Sequence, residues 1–168
     1  MQYLKNKNMI IEGIEATGKT TLVQNLKNIF PFSIIQPSNY LDDSEELFMS
    51  YRVLLDIHSG LLFDRYFITR SVLKNDNKSL YNNLLSSKNR LIFLECDYKK
   101  LIDRMSESKK GKFIYKSYPI TDLPFIAEDM RKIYDKFEQA YPDYCLRINT
   151  GINDEKQTLE KVIEFAKR

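Results

Sequence analysis

The sequence predicts an α/β fold, a three-layer αβα sandwich around a five-stranded parallel sheet, and three observations carry that expectation. Short apolar runs alternate with longer amphipathic segments, as in chained βαβ units. The runs, such as LIFLE and IIEG, are apolar at consecutive positions and so suit strands covered on both faces. Turn and cap residues punctuate the boundaries.

The five predicted strands are Met9 to Gly13, Ser33 to Gln36, Gly60 to Asp64, Arg90 to Cys96 and Tyr144 to Asn149. Helices are expected over Lys19 to Ile29, Ser44 to His58, Thr69 to Leu73, Ser79 to Leu85, Lys99 to Met105, Asp122 to Tyr141 and Asp154 to Lys167. Pro31 ends the first. Asp42, Asp43 and Ser44, then Asp97, then Asn153 and Asp154 are placed to cap or favour helix starts. The polar, lysine-rich segment Ser106 to Ser117 lacks periodicity and reads as a surface loop.

With 168 residues the chain has the size of one domain and can bury a core without disulfides or metal. A hydrophobic fraction of 43% with 29% charged residues of both signs argues against disorder. A formal charge of +3 with scattered basic residues gives no nucleic-acid footprint. Cys96 and Cys145 sit in apolar runs and read as buried thiols in a reducing compartment. The amino terminus has too short an apolar stretch for a signal peptide, and nothing is long enough to cross a bilayer, so a cytoplasmic protein is expected.

Gly13-Ile-Glu-Ala-Thr-Gly-Lys-Thr20 matches GxxxxGK[ST] between a predicted strand and a predicted helix, the context that a phosphate-binding loop requires. Inward-pointing N–H groups of Gly13, Glu15, Ala16, Thr17, Gly18, Lys19, Thr20 and Thr21 would cradle the phosphates of ATP, helped by the helix dipole. Lys19 would neutralise the β- and γ-phosphates, and Thr20 would offer its hydroxyl to Mg²⁺. The loop leaves open where the γ-phosphate goes.

Ile11 to Thr21 resembles the opening of thymidylate kinases, with Ala16 where that family has glycine. Leu62-Phe-Asp-Arg-Tyr66 is similar to the family's DRY motif and Phe48-x-x-x-Arg52 to its FxxxR signature; Leu94-Glu-Cys-Asp97 resembles its fourth strand, and Phe125 to Tyr134 a later helix. The likeness is weakest over residues 36 to 60, where the family's REPGG becomes Gln36-Pro-Ser-Asn. Arg70 and Leu73 replace a usual asparagine and tyrosine. The resemblance implies a compact nucleoside monophosphate kinase-like P-loop domain over 1–168, with a lid at about 106–118. Its activity would be ATP-dependent phosphorylation of a pyrimidine deoxynucleoside monophosphate, dTMP giving dTDP. Relatives commonly dimerise, which raises a homodimer.

The same resemblance gives Glu15 the acceptor's 3′-hydroxyl or a metal-bound water. Phe48 would stack on the base while Arg52, one helical turn later, donates to a base carbonyl. Core packing for Phe48 and a solvated Arg52 are the alternatives. Asp64 would hold Mg²⁺ through water, or else cap the following helix. Arg65 would grip the acceptor phosphate and Arg70 add a phosphate contact. Arg104 would cover the ATP base or reach its phosphates. The phosphate loop has no arginine among its variable positions, so Lys109, Lys110 and Lys112 of the lid are candidates for the transition-state cation. The alternatives are a deoxynucleoside kinase, which would need a base where Gln36 stands, and a non-enzymatic NTP-binding switch.

Overall fold

The computed structural model describes residues 6–36, 45–74, 85, 88–107 and 120–168, with the side chains of 45–48, 70, 73, 74 and 120 left aside. Five strands form one parallel sheet: β1 (Asn8–Glu12), β2 (Ser33–Ile35), β3 (Leu61–Asp64), β4 (Asn89–Glu95) and β5 (Cys145–Asn149), in the order β2-β3-β1-β4-β5. The described helices are α1 (Lys19–Ile29), α2 (Glu45–Ile57), α3 (Phe67–Lys74), α4 (Tyr98–Glu107), α5 (Leu123–Ala140) and α6 (Glu155–Lys167). Each expected strand lies within one residue of the observed one. Of the expected helix Ser79 to Leu85 only Leu85 is described, buried and outside any helix, while the caps Asp42, Asp43 and Ser44 and the lid residues Lys109, Lys110 and Lys112 lie outside the described residues.

Alternation along the strands builds two cores, because successive side chains leave a strand on opposite faces. Met9 and Ile11 of β1 join Leu62, Ile92, Leu94 and Ile148 against α1 and α6. Ile10, Phe63, Leu91 and Phe93 pack on the other face with residues of α2, α3, α4 and α5. All five residues of β1 are buried, so a polar side chain on it must find its partners inside the protein. Asn8 does so at the amino end, donating to the Leu55 and His58 carbonyls and the Asn89 side chain, while accepting from Leu61 N–H at 3.1 Å. That network ties the end of α2 to the start of β3.

Helix boundaries follow local chemistry. Asp154 opens α6 with a reciprocal capping box, accepting from Gln157 N–H at 2.8 Å while the Gln157 side chain accepts from Asp154 N–H at 3.0 Å. Asp97 accepts from Lys100 N–H at 3.0 Å at the start of α4. A 3₁₀ turn, Ile120–Asp122, occupies the expected first residue of the long helix, and the α-helical bonding begins at Leu123. No described helix is long and apolar enough to cross a membrane.

Candidate active site

The register places the carboxyl ends of three strands together. Ile11 pairs with Asp64, and Glu12 pairs with Phe93, so the loops after β1 and β3 emerge side by side. In open parallel sheets this rim, where the strand order reverses, is the usual ligand crevice.

Gly13 leaves β1 at φ 143°, and a Cβ there would stand 2.2 Å from the Leu94 carbonyl oxygen. The loop can therefore pass over β4 only without a side chain. Gly18 takes a left-handed conformation, φ 90°, as the cap of α1. Ala16 is also left-handed, φ 61°, at the position where the sequence resemblance has glycine. Thr17 is wholly buried and its hydroxyl donates to the Ile14 carbonyl at 2.7 Å. Its side chain therefore braces the loop, so only its backbone is suited to meeting phosphate.

Lys19 is also buried, and its ammonium donates to the Ile14 carbonyl. Burial, reinforced by the Arg65 charge, lowers its pKa from 10.5 to about 7, against the opposing pull of Glu15, Asp64 and Glu12. Thr20, the next residue, donates its hydroxyl to Asp64 Oδ2 at 3.3 Å, and Gln36 donates its amide to the same oxygen at 3.2 Å. A hydroxyl and a buried carboxylate thus converge beside the loop. Mg²⁺ commonly takes one or two protein oxygens and completes its shell with phosphates and water, so Thr20 and Asp64 fit that ion. Among the described residues there is no cluster of three or more acidic, histidine or cysteine side chains that would suit a metal held by protein alone.

Arg65 follows β3 at φ 72° and pairs with Glu15 across 2.9 Å. Two of the residues that the resemblance assigns to the acceptor are thus brought together. The backbone on either side of Arg65 is held by β1: Arg65 N–H donates to the Ile11 carbonyl at 2.8 Å and Tyr66 N–H to Glu12 Oε1 at 2.9 Å. Glu12 also accepts from Ile68 N–H at 2.9 Å, from Thr69 N–H at 3.3 Å and from the Thr69 hydroxyl at 2.6 Å. Burial pushes its carboxyl above the ordinary range, while these four bonds pull it back. Glu12 is thus a carboxylate that satisfies the Ile68 and Thr69 N–H groups at the opening of α3. Sequence reasoning passed over Glu12; the signal it carried was a carboxylate ending an otherwise apolar strand.

Tyr51 of α2 packs edge-on against Phe63 at 5.9 Å and Tyr66 at 6.1 Å between ring centroids. This contact sets the α2 turn bearing the half-buried Arg52 beside the Arg65 turn. The backbones of Phe48 and Arg70 lie on α2 and α3; their side chains are outside the described set. Arg104 of α4 donates to the Ala16 carbonyl at 3.2 Å, to the Thr150 hydroxyl at 3.0 Å and to the Thr150 carbonyl at 2.6 Å. It therefore braces the phosphate loop against the β5–α6 turn. The chain of contacts continues because Thr150 in turn donates to the Glu95 carbonyl that ends β4.

This architecture, a parallel sheet with a glycine-bearing phosphate loop after its first strand, is the fold of P-loop kinases. The chain is similar over 94% of its length to the Bacillus subtilis YorR protein in complex with phosphorylated GDP, with 20% identity, 94% of that chain covered and a TM-score of 0.66. Thymidylate kinase from Candida albicans matches 95% of this chain and 90% of its own at 16% identity, TM-score 0.59. Deoxyadenosine kinase from M. mycoides with products dCMP and dCDP bound matches 94% and 96% at 14% identity, TM-score 0.58. No protein-family model matches the sequence, and no curated protein does.

Proposed function

We propose that this chain transfers the γ-phosphoryl group of ATP to a pyrimidine deoxynucleoside monophosphate, dTMP giving dTDP. The observation that carries this reading is the state of the described carboxylates at the ends of β1 and β3 and in the loop after β1. Glu12 accepts four hydrogen bonds, Glu15 is paired with Arg65, and Asp64 accepts from Thr20 and Gln36. A neutral hydroxyl acceptor needs a base to take its proton. A phosphate acceptor is already ionised and needs positive charge instead, which Arg65 and Lys19 supply from the two adjoining loops.

In this reading the loop N–H groups and Lys19 hold the β- and γ-phosphates of ATP, and Lys19 offsets the charge that builds between the two facing phosphoryl groups. Arg65, kept beside the loop by Glu15, positions the acceptor phosphate for in-line attack. Mg²⁺, held by Thr20 and through water by Asp64, would neutralise charge on the ATP oxygens. Phe48 and Arg52 select the base, Arg70 adds a phosphate contact, Arg104 supports the ATP side, and one of Lys109, Lys110 and Lys112 completes the charge from the lid. The domain would act as a single kinase unit, with nucleotides as its partners.

A coupled ADP-release assay with dTMP, with thymidine and with no acceptor tests the reading. Turnover with dTMP alone is expected. Phosphorylation of thymidine but not dTMP overturns it in favour of a deoxynucleoside kinase, and turnover with neither points to an NTP-dependent switch. A panel including dUMP and purine monophosphates then defines the acceptor.

A further inference from the structure

We infer that Glu12 is a positioning residue that turns Arg65 toward the phosphate loop; the inference rests on the reading of Arg65 as the acceptor-phosphate ligand. An arginine at φ 72° occupies a conformation that L-residues with a Cβ avoid, and such geometry persists only where neighbours enforce it. Here both peptide N–H groups that flank the strained residue are fixed to β1. The Arg65 N–H is held by the Ile11 carbonyl and the Tyr66 N–H by the Glu12 carboxylate.

Main chain can supply the first of these bonds in any parallel sheet that runs one residue longer. The second needs a side chain that reaches past the end of β1 and accepts from several donors at once. Glu12 does this through both oxygens: Oε1 takes Tyr66 and Ile68 N–H, and Oε2 takes Thr69 N–H and the Thr69 hydroxyl. It is wholly buried, as Thr69 nearly is, so water does not replace these contacts in the folded protein. The same residue directly precedes Gly13, where the phosphate loop starts. One carboxylate therefore sets the spacing between the ATP loop and the arginine turn, and the 2.9 Å contact between Arg65 and Glu15 is the product of that spacing.

The test compares Glu12→Gln, Thr69→Val, Thr69→Ser and Arg65→Ala, alone and combined, by acceptor and ATP kinetics and by thermal melting. In Glu12→Gln the amide turns an N–H₂ group toward donors, so kcat/KM for dTMP is expected to fall about ten-fold, as for loss of one charged hydrogen bond. The KM for ATP should stay within about two-fold. Thr69→Val should show a smaller loss of the same kind and Thr69→Ser should restore it, which keeps the test usable if Glu12→Gln folds poorly. On an Arg65→Ala background, Thr69→Val or Glu12→Gln should add less than about two-fold. Additive losses, or equal losses for ATP and acceptor that track melting temperature, overturn the positioning role alone. An Arg65→Ala variant with unchanged acceptor kinetics overturns both this inference and the reading of the site.

Discussion

The two turns that flank the site, one after β1 and one after β3, each hold a non-glycine residue in the left-handed region, and they are stabilised in different ways. Around Ala16 most of the bracing comes from the loop itself, with Gly13 and Gly18 supplying the tight backbone and Thr17 and Lys19 closing onto the Ile14 carbonyl. Arg104 of α4 adds one distant contact, to the Ala16 carbonyl. Around Arg65 both flanking peptide N–H groups are held by a distant strand. Its geometry is imposed from β1, whose nearest residue in the sequence is more than fifty positions away. A loop braced largely by its own residues shows its bracing in contiguous sequence, whereas the Asp64-Arg-Tyr66 run gives no sign of the distant carboxylate that holds its turn.

Several changes would break or sharpen that contrast. Lys19→Ala should have the largest effect, lowering kcat on the order of 10²–10³-fold in the coupled assay, because in the proposed reaction it removes a buried charge that offsets the developing phosphoryl charge. Unchanged turnover would remove Lys19 from the chemistry. Gly13→Ala should follow, since its Cβ meets the Leu94 carbonyl oxygen at 2.2 Å. A loss of about 1–3 kcal/mol by thermal or urea unfolding, with weakened ATP binding, is expected.

On the arginine side, Arg65→Ala should cost about 10–100-fold in kcat/KM for the acceptor, the range for hydrogen bonds to charged groups, and spare ATP binding measured by titration calorimetry. A parallel loss of ATP affinity would mean that the two turns cannot be treated separately.

The lowered Lys19 pKa makes a pH prediction. The folded, ligand-free protein releases this proton near pH 7, while the unfolded chain keeps it to about 10.5. Between those values the unfolded state binds more protons, so this group's contribution raises stability as pH increases across the window. Phosphate favours the charged ammonium, so ATP binding at pH 8 should take up part of a proton. The calorimetric enthalpy would then vary with the ionisation enthalpy of the buffer, and Lys19→Met should abolish the variation. The smallest effect is expected from Ala16→Gly, which relieves left-handed strain but adds unfolded-state entropy, leaving a net gain of about 0–1 kcal/mol in unfolding experiments. A clear loss would show that the Ala16 methyl contributes packing.

Much of the fold was legible because it rests on local pattern. Consecutive apolar residues in LIFLE and IIEG marked strands that are indeed buried on both faces, and Asp154 and Asp97 marked helix starts through caps that reach only three residues ahead. The tight glycine-bearing turn after β1 and the meeting of Thr20 with Asp64 were also legible, the first from spacing and the second from Asp64 closing an apolar strand. Glu12 and Arg104 were read incompletely. Nothing next to Glu12 in the chain shows that its four donors come from residues 66–69, and nothing next to Arg104 shows that it spans from Ala16 to Thr150.

The sequence by itself determined that a glycine-bearing loop of GxxxxGK[ST] spacing sits after the first strand of a parallel α/β sheet, since glycine spacing, strand apolarity and helix periodicity are properties of contiguous residues. Tertiary structure decided which carboxylates are already engaged and which way Arg65 faces. Those features depend on strand order: with β1 between β3 and β4, Glu12 lies against the Arg65 turn and Gly13 against Leu94. Hydrogen bonds and close contacts act over a few ångströms, and only the folded sheet brings these distant segments that near.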